Sequence, residues 1–225
     1  MEDISLNIRR NILQAALPIV AFEGWTEKTL REACAQCDLP KGAEGLYFPD
    51  GPLELIGFWA EECDAFVAAT LATLDLANMR IRDKVTAGVI ARLEAFGTHN
   101  EAAKRASARL ALPDAIGQGP AQIWRAADTI WRAIGDTSTD YNYYSKRTIL
   151  SAVLATSLVS WLSDETQDKS KAREFIDARI ENVMQFEKAK WSFKKKSKNW
   201  PNPAEILGAL RYSGLPKRRR RSTFK

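Results

Sequence analysis

The hydrophobic positions of this chain recur at three- and four-residue steps, the spacing of amphipathic helices. No segment alternates apolar and polar residues long enough to indicate a strand. The sequence therefore predicts an all-α protein. Its expected helices cover residues 7–24, 26–37, 53–78, 81–97, 101–111, 121–134, 142–163 and 170–194, with a short helical segment over 41–48.

Turn residues separate the first predicted helices. Gly24 ends the first one, and glycine is common just after a helix. The hydroxyl of Thr26 can cap the second helix, and Pro49-Asp50-Gly51 stops the short segment. We expect a small helical module over residues 1–50, a larger helical domain over 51–194 and a tail over 195–225.

Charge is distributed very unevenly along the 225 residues. The formal net charge is +5, but residues 188–225 alone carry thirteen Lys+Arg and one acidic residue, Glu205. Residues 1–187 are therefore net acidic, at −7. Only the tail has the charge that attracts phosphate groups.

Few side chains are suited to catalysis or metal binding. Cys34, Cys37 and Cys63 are too few for a disulfide framework and indicate a reducing compartment. Cys34 and Cys37 form a C-x-x-C pair, but a zinc site needs a second pair of ligands, and His99 is the only histidine. A di-iron bundle needs two Glu-x-x-His motifs. We expect no enzymatic activity, no metal site and no cofactor.

No segment is apolar enough to cross a membrane. The longest apolar run, Ala15–Phe22, contains Pro18 and is far shorter than the roughly 20 residues that span a bilayer. The acidic start Met1–Ser5 does not resemble a secretory signal. We expect a bacterial cytoplasmic protein, peripheral on the inner membrane; a mature organellar form on the matrix side would look the same.

The first fifty residues resemble the DNA-binding domain of TetR-type repressors. The residues that carry this resemblance are Arg9–Ala16, Gly24-Trp25, Thr29-Leu30, Ala33 and Leu46–Pro49. The DNA-reading segment would be 39–48, where Lys41 is the only cation beside Asp38 and Glu44. A reading helix needs several side chains that reach bases and phosphates. We therefore expect a degenerate helix-turn-helix without specific DNA binding, and keep a TetR-type regulator as the alternative function.

A longer resemblance, over residues 8–190, is carried first by the segment Gly135–Arg147, which joins two tryptophan-bearing helices. Further matching positions are Gly24-Trp25-Thr26, Phe48-Pro49, Glu54-Leu55, Cys63, Leu112-Pro113 and Trp131. Together they resemble the accessory lipid-binding family of coenzyme Q biosynthesis, the ninth named member of that pathway.

That resemblance implies a TetR-like fold and a non-catalytic role. Such a protein binds an isoprenoid lipid or ubiquinone intermediate in its larger domain and presents it to the demethoxyubiquinone hydroxylase. The large apolar residues of residues 51–194 are candidates for the lipid site, although an ordinary closed core is the more common explanation for any one of them. The candidates are Phe58, Trp59, Phe66, Leu74, Ile90, Leu93, Trp124, Trp131, Leu150, Val153, Leu154 and Leu158.

The 135–147 segment has a structural and a functional interpretation. Asp140 or Asn142 can cap the helix that follows, but capping leaves the neighbouring tyrosines and bases unexplained. Tyrosine and arginine are enriched at binding hot spots. The resemblance implies that this region contacts the hydroxylase, although the family usually has Trp at position 143. The partner-binding candidates are Asp140, Asn142, Tyr143, Tyr144 and Arg147.

The tail places an apolar stripe between two basic clusters, a combination that binds anionic membrane surfaces. The membrane candidates are Ile206, Leu207, Leu210, Arg211, Lys217 and Arg218. A solvated tail, a nucleic-acid or nuclear-localisation patch and a helix docked on a second subunit are the alternatives.

By analogy with repressors of this shape, we also expect a homodimer formed through residues 142–163 and 170–194.

Overall fold

A computed structural model describes the backbone of residues 2–197 and the side chains of residues 4–185. Over this range the chain is helical and has no strand, which confirms the all-α prediction. The helices are α1 (Glu2–Glu23), α2 (Glu27–Gln36), α3 (Glu44–Tyr47), α4 (Pro52–Ala72), α5 (Ile81–Glu94), α6 (Asn100–Leu110), α7 (Gln118–Ala133), α8 (Tyr141–Ser163) and α9 (Ser170–Ser197). Single 3₁₀ turns occur at Leu76–Asn78 and Pro113–Ala115.

The turn between α1 and α2 forms as its sequence predicts. Gly24 has φ +78°, a conformation that favours glycine. The Oγ1 atom of Thr26 accepts a hydrogen bond from the Thr29 amide at 3.2 Å, so Thr26 caps α2. The Thr29 hydroxyl donates to the Gly24 carbonyl at 2.8 Å and closes the turn. These bonds fix the angle at which α2 leaves α1.

The predicted helix over 53–78 is wrong at its end, because α4 stops at Ala72. The amide of Thr73 bonds to the carbonyl of Thr70, and the Thr73 hydroxyl donates to the same carbonyl at 2.7 Å. A hydroxyl that competes for a backbone carbonyl favours the end of a helix over its interior. Residues 76–78 form a separate 3₁₀ turn.

Helix α4 is central to the larger bundle, where it packs against α5 and α7, and α7 packs against α8. Gly88 lets α5 approach α7 closely, since a Cβ atom there would lie 2.6 Å from Cγ2 of Ile130. Ile130 itself is fully buried. Gly88 therefore permits a close crossing of α5 and α7.

Residues 1–183 form one compact unit, and residues 184–225 are assigned to a second. Of the second unit the structure describes only the end of α9, through Ser197. Within the part of the chain described here, no helix is long and apolar enough to cross a bilayer. The division of residues 1–183 at about residue 50 stays a prediction.

Candidate functional site

An apolar cavity of about 300 Å³ lies among α4, α5, α6, α7 and α8. Helix α4 contributes one wall, α6 and the start of α7 form another, and α8 closes the side. The residues around it are Ile56, Trp59, Ala60, Cys63, Arg92, Leu93, Phe96, Ala103, Ala106, Ser107, Leu110, Ala111, Gly119, Pro120, Gln122, Ile123, Ala126, Leu154 and Leu158. The cavity is therefore built mainly from apolar and small side chains.

Four of the twelve predicted lipid-site residues line this cavity, namely Trp59, Leu93, Leu154 and Leu158. Three others are buried but do not line it, and these are Phe58, Leu150 and Val153. Ile90, Trp124 and Trp131 are partly exposed outside it. Phe66 and Leu74 lie at the surface, 47% and 37% exposed. All twelve predicted residues lie in the same helical bundle, but only four of them border the cavity.

Small residues make the space, and none of them is among the predicted lipid-site residues. Ala103, Ala106 and Ala126 are buried on facing helices, where larger side chains would fill the gap. Gly119 also borders the cavity. Alanine at these helical positions is equally typical of close helix packing, so no local signal in the sequence marks the void.

Aromatic rings form the inner end of the cavity. The ring of Trp59 lies 5.4 Å from that of Phe96 and 5.5 Å from that of Trp25, measured between centroids. The indole of Trp25 donates a hydrogen bond to the Ala102 carbonyl at 3.1 Å. The turn after α1 is thereby tied to α6, and the aromatic end is held rigidly.

One charged side chain, that of Arg92, borders the cavity, and it is paired. Its Nε donates to Oδ1 of Asp64 at 2.8 Å, and the two side chains are 11% and 12% exposed. Burial raises the pKa of Asp64, and the positive charge of Arg92 opposes that rise. The guanidinium also lies 5.4 Å from the centroid of the Phe96 ring. The pair places a polar group beside an otherwise apolar space.

The cysteines lack the features of reactive or metal-binding thiols. Burial raises the pKa of both Cys34 and Cys63 to about 11, so these thiols are protonated at neutral pH. All three cysteines are free. No group of three or more potential metal ligands occurs among the described residues.

The cavity opens where α6 ends and α7 begins, since Ser107, Ala111 and Pro120 both border it and are exposed. We call this opening the mouth. The connection between α6 and α7, residues 111–117, bridges the mouth and is called the mouth loop. Its Leu112 is 49% exposed, and its Ile116, at 86%, is among the most exposed large apolar side chains of the described residues.

The mouth loop is held in place by polar and apolar contacts. Arg109, in the last turn of α6, donates two hydrogen bonds to the carboxylate of Asp114, at 2.9 and 2.6 Å. Ala115, within the loop, is fully buried. Leu112 and Ile116 are thus presented to solvent by a fixed backbone.

A second candidate region is the surface formed by residues 140–147, at the start of α8. Asp140, Asn142 and Tyr144 are exposed and Tyr143 is half-buried. Arg147 is buried, with 1% of the residue exposed. The five predicted partner residues are therefore close together, but only four of them reach the surface.

Arg147 is held by two carboxylates beneath this surface. Its Nε donates to Asp128 at 2.6 Å and its Nη1 to Asp136 at 3.2 Å. Nη1 also donates to the carbonyl of Tyr143 at 3.2 Å. Lys146 adds a bond to Asp136 at 2.6 Å and one to Ser138 at 2.8 Å. The 135–147 segment is therefore fastened to α7 by a charged network.

The carboxylates of this network are strongly stabilised in their ionised form. Burial acts to raise the pKa of Asp136, but hydrogen bonds from Lys146, Ser138 and Arg147 outweigh it and hold the pKa at about 2. The same competition lowers the pKa of Asp128, where Arg147 and Arg132 outweigh burial. The network is thus fully charged at neutral pH.

Aromatic contacts hold the tyrosine side chains of this surface in place. The rings of Tyr143 and Tyr144 lie 5.1 Å apart, and Tyr144 lies 6.5 Å from Trp124 of α7, measured between centroids. Asp140 is the first residue before α8, but its side chain makes no capping hydrogen bond. Side-chain capping therefore does not explain Asp140.

The helix-turn-helix segment offers little that could read DNA. Its third helix, α3, has only four residues, Glu44–Tyr47. Leu46 on α3 is 75% exposed, and Lys41 precedes it.

The predicted membrane residues of the tail, from Ile206 to Arg218, lie outside the described residues.

A known protein family matches part of the second half of this chain. Residues 116–187 match the model of the COQ9 family. The matched family is COQ9. This match confirms the coenzyme Q resemblance, and the COQ9 segment runs from the mouth loop through α7 and α8 into α9, so it includes the 140–147 surface.

Curated COQ9 proteins are similar over a longer range. The mitochondrial ubiquinone biosynthesis protein COQ9 of Rattus norvegicus is 29% identical over 184 residues, covering 79% of this chain and 59% of the relative. The human COQ9 protein is 27% identical, covering 79% and 58%, and the probable coq9 protein of Dictyostelium discoideum is 26% identical, covering 79% and 60%. The chain thus matches about three fifths of the length of these mitochondrial relatives.

A solved TetR transcriptional regulator from Nitrosomonas europaea has the same architecture. The two chains superpose with a TM-score of 0.65 and 16% sequence identity, and the superposition covers 80% of this chain and 99% of the regulator. This likeness confirms the predicted TetR-like fold. At that identity it shows the fold alone.

Proposed function

We propose that this chain is a non-catalytic, lipid-binding accessory protein of ubiquinone biosynthesis that holds an isoprenoid quinone intermediate in the apolar cavity. The observation that carries the proposal is the cavity itself, about 300 Å³ and bordered by only one charged side chain, that of Arg92. Its α7 and α8 walls belong to the COQ9 segment. An isoprenoid is purely apolar, so a site for one needs apolar area and few polar groups.

The volume limits how much of such a lipid is enclosed. An apolar cavity of about 150 Å³ holds one benzene molecule, so this cavity has room for roughly two such groups. A quinone ring with a short isoprenoid piece, or a few isoprene units, would fill it. The remainder of a long tail would pass out through the mouth, between Ala111 and Pro120.

The 140–147 surface is the proposed contact with the demethoxyubiquinone hydroxylase. Tyr144 is 61% exposed beside Trp124, and aromatic side chains at a rigid surface are typical anchors of protein interfaces. Arg147 supports the surface from below through Asp128 and Asp136. We therefore assign contact to Asp140, Asn142, Tyr143 and Tyr144, and positioning to Arg147.

Membrane attachment is proposed for the basic tail on its sequence alone. Its stripe of Ile206, Leu207 and Leu210 lies between clusters of Lys and Arg, with Arg211, Lys217 and Arg218 as the predicted headgroup contacts. This arrangement would hold the protein on an anionic surface, at a bacterial inner membrane or its mitochondrial counterpart.

We also propose a homodimer through α8 and α9, because Val159 of α8 is 69% exposed.

A TetR-type regulator is the second candidate, favoured by the architecture it shares with the Nitrosomonas europaea regulator. The short α3 and the acidic charge of residues 1–60, five Lys+Arg against nine Asp+Glu, oppose it. Mass spectrometry of lipid extracted from the purified protein separates the two. A polyprenylated quinone precursor supports the accessory role; a lipid-free protein that shifts its own promoter DNA supports the regulator.

A further inference from the structure

The mouth loop exposes apolar side chains that its own packing does not require. Leu112 and Ile116 are 49% and 86% exposed, whereas Ala115 between them is fully buried. The bidentate Arg109–Asp114 pair keeps the loop from folding these side chains inward. Large apolar groups held in water by a fixed backbone mark an interaction surface.

The position of the loop identifies what kind of partner it meets. Ala111 and Gly119, on either side of Leu112 and Ile116 in the chain, both border the cavity. The exposed apolar surface is therefore continuous with the opening of an apolar space. A polyisoprenoid has negligible solubility in water, so it must reach the mouth from a lipid phase.

The charges beside the mouth fit a lipid surface. Helix α6, which leads into the loop, carries Lys104, Arg105 and Arg109 against the single acidic residue Glu101. Lys104 and Arg105 share that carboxylate, at 3.5 and 3.8 Å, and Lys104 is half exposed. Asp114 is neutralised by Arg109. These three bases and two acids leave a net charge of +1, so the surface beside the apolar tip is weakly basic and compatible with anionic headgroups above acyl chains.

We propose that the mouth loop docks on the bilayer, with Leu112 and Ile116 entering the region between headgroups and acyl chains, so that lipid passes between membrane and cavity without crossing water. This membrane contact is separate from the basic tail. The passage of lipid rests on the function proposed above, whereas the docking of the loop does not.

The test compares the full-length protein with Leu112→Ser/Ile116→Ser, and with Leu46→Ser as the control, since Leu46 is 75% exposed on α3. Partitioning onto phosphatidylcholine vesicles containing one fifth or no phosphatidylserine is measured by flotation. Transfer of ubiquinone with a two-isoprene tail from the same vesicles is followed in time. Loading of the same quinone from detergent micelles measures the capacity of the cavity.

We expect the double variant to partition and to take up quinone from vesicles at least about tenfold less well than the control, with unchanged loading from detergent. Equal partitioning of double variant and control overturns the proposal. Binding of the purified hydroxylase is measured for the same proteins, and a double variant that partitions like the control but binds the hydroxylase less tightly also overturns the proposal, because the loop then contacts a protein. If the wild type takes up no quinone from detergent while the loop still governs partitioning, loop docking is supported and the function proposed above is contradicted.

Discussion

The guanidinium of Arg147 lies 3.5 Å from the centroid of the Tyr143 ring, over its face. The same group is paired with Asp128 and Asp136, and its side chain is only 2% exposed. Arg147 therefore stabilises the 140–147 surface from inside, while the neighbouring Tyr144 provides its exposed area. Substitutions at the two positions should separate stability from binding.

Arg147→Ala should strongly destabilise the fold. The substitution removes the buried partner of Asp128 and Asp136, which keep only their pairs with Arg132 and Lys146, so we expect a cost of about 3 kcal/mol, the low end for a broken buried pair. Arg132→Ala is the matched control, because Arg132 also pairs with Asp128, at 2.7 Å, but is 70% exposed. That change should cost far less, because a solvent-exposed ion pair contributes little to stability. Urea unfolding measures both, and equal losses would show that burial of Arg147 is not what matters.

Tyr144→Ala should weaken hydroxylase binding without lowering stability. Loss of an aromatic anchor at an interface costs more than about 1 kcal/mol, which makes the complex at least roughly fivefold weaker. Leu46→Ala serves as the control, because Leu46 is 75% exposed on α3 and lies outside the 140–147 surface. Titration calorimetry with the purified hydroxylase checks the result. Unchanged affinity for Tyr144→Ala would leave the 140–147 surface with a structural role only.

Asp136 should make stability fall at acidic pH. The hydrogen bonds from Lys146, Ser138 and Arg147 hold its folded pKa at about 2, below the ordinary value of 3.8. A depressed folded pKa gives stability that is present above pH 3.8 and is lost as the pH falls towards 2. Thermal melts of wild type between pH 5 and 2 should therefore show a steeper loss than melts of Asp136→Asn. Parallel curves would contradict the assignment.

Gly88→Ala should destabilise the α5–α7 crossing although alanine is the better helix former. The new methyl group would lie 2.6 Å from Cγ2 of Ile130, and overpacking costs about 1–3 kcal/mol. The gain in helix propensity offsets about 1 kcal/mol of that. Adding Ile130→Ala should remove the clash, so the two substitutions should couple favourably in a double-mutant cycle of chemical unfolding. Simple additivity would mean that the two helices move apart freely.

The helices were predictable because their signals are local. Gly24 and Thr26 mark the first turn in the sequence and perform those roles in the structure. The end of α4 was missed, since Leu74 continues the apolar spacing while a side-chain hydrogen bond of Thr73 ends the helix. Periodicity records which face is apolar, and capping decides where the helix stops.

The cavity and the role of Arg147 depend on contacts between helices, which a single sequence does not encode locally. Trp59 and Leu154 were selected because they are large and apolar, and the cavity includes them. Phe66 has the same chemistry but points away, at 47% exposure. Arg147 was predicted to contact a partner because arginine is enriched at binding hot spots, yet Asp128, nineteen residues earlier, pairs with it and allows its burial. Such distant partners appear only in the folded chain.

The most direct measurement of the central claim is the quinone bound by Ala106→Phe compared with Ala108→Phe. Ala106 borders the cavity and is 6% exposed, whereas Ala108 is exposed on the same helix. Both proteins, checked for equal folding by circular dichroism, are purified from the same host and their lipid is quantified by mass spectrometry. We predict about tenfold less polyprenylated quinone in Ala106→Phe and a wild-type amount in Ala108→Phe. Equal quinone in both variants, or none in the wild type, would contradict the cavity as a lipid site.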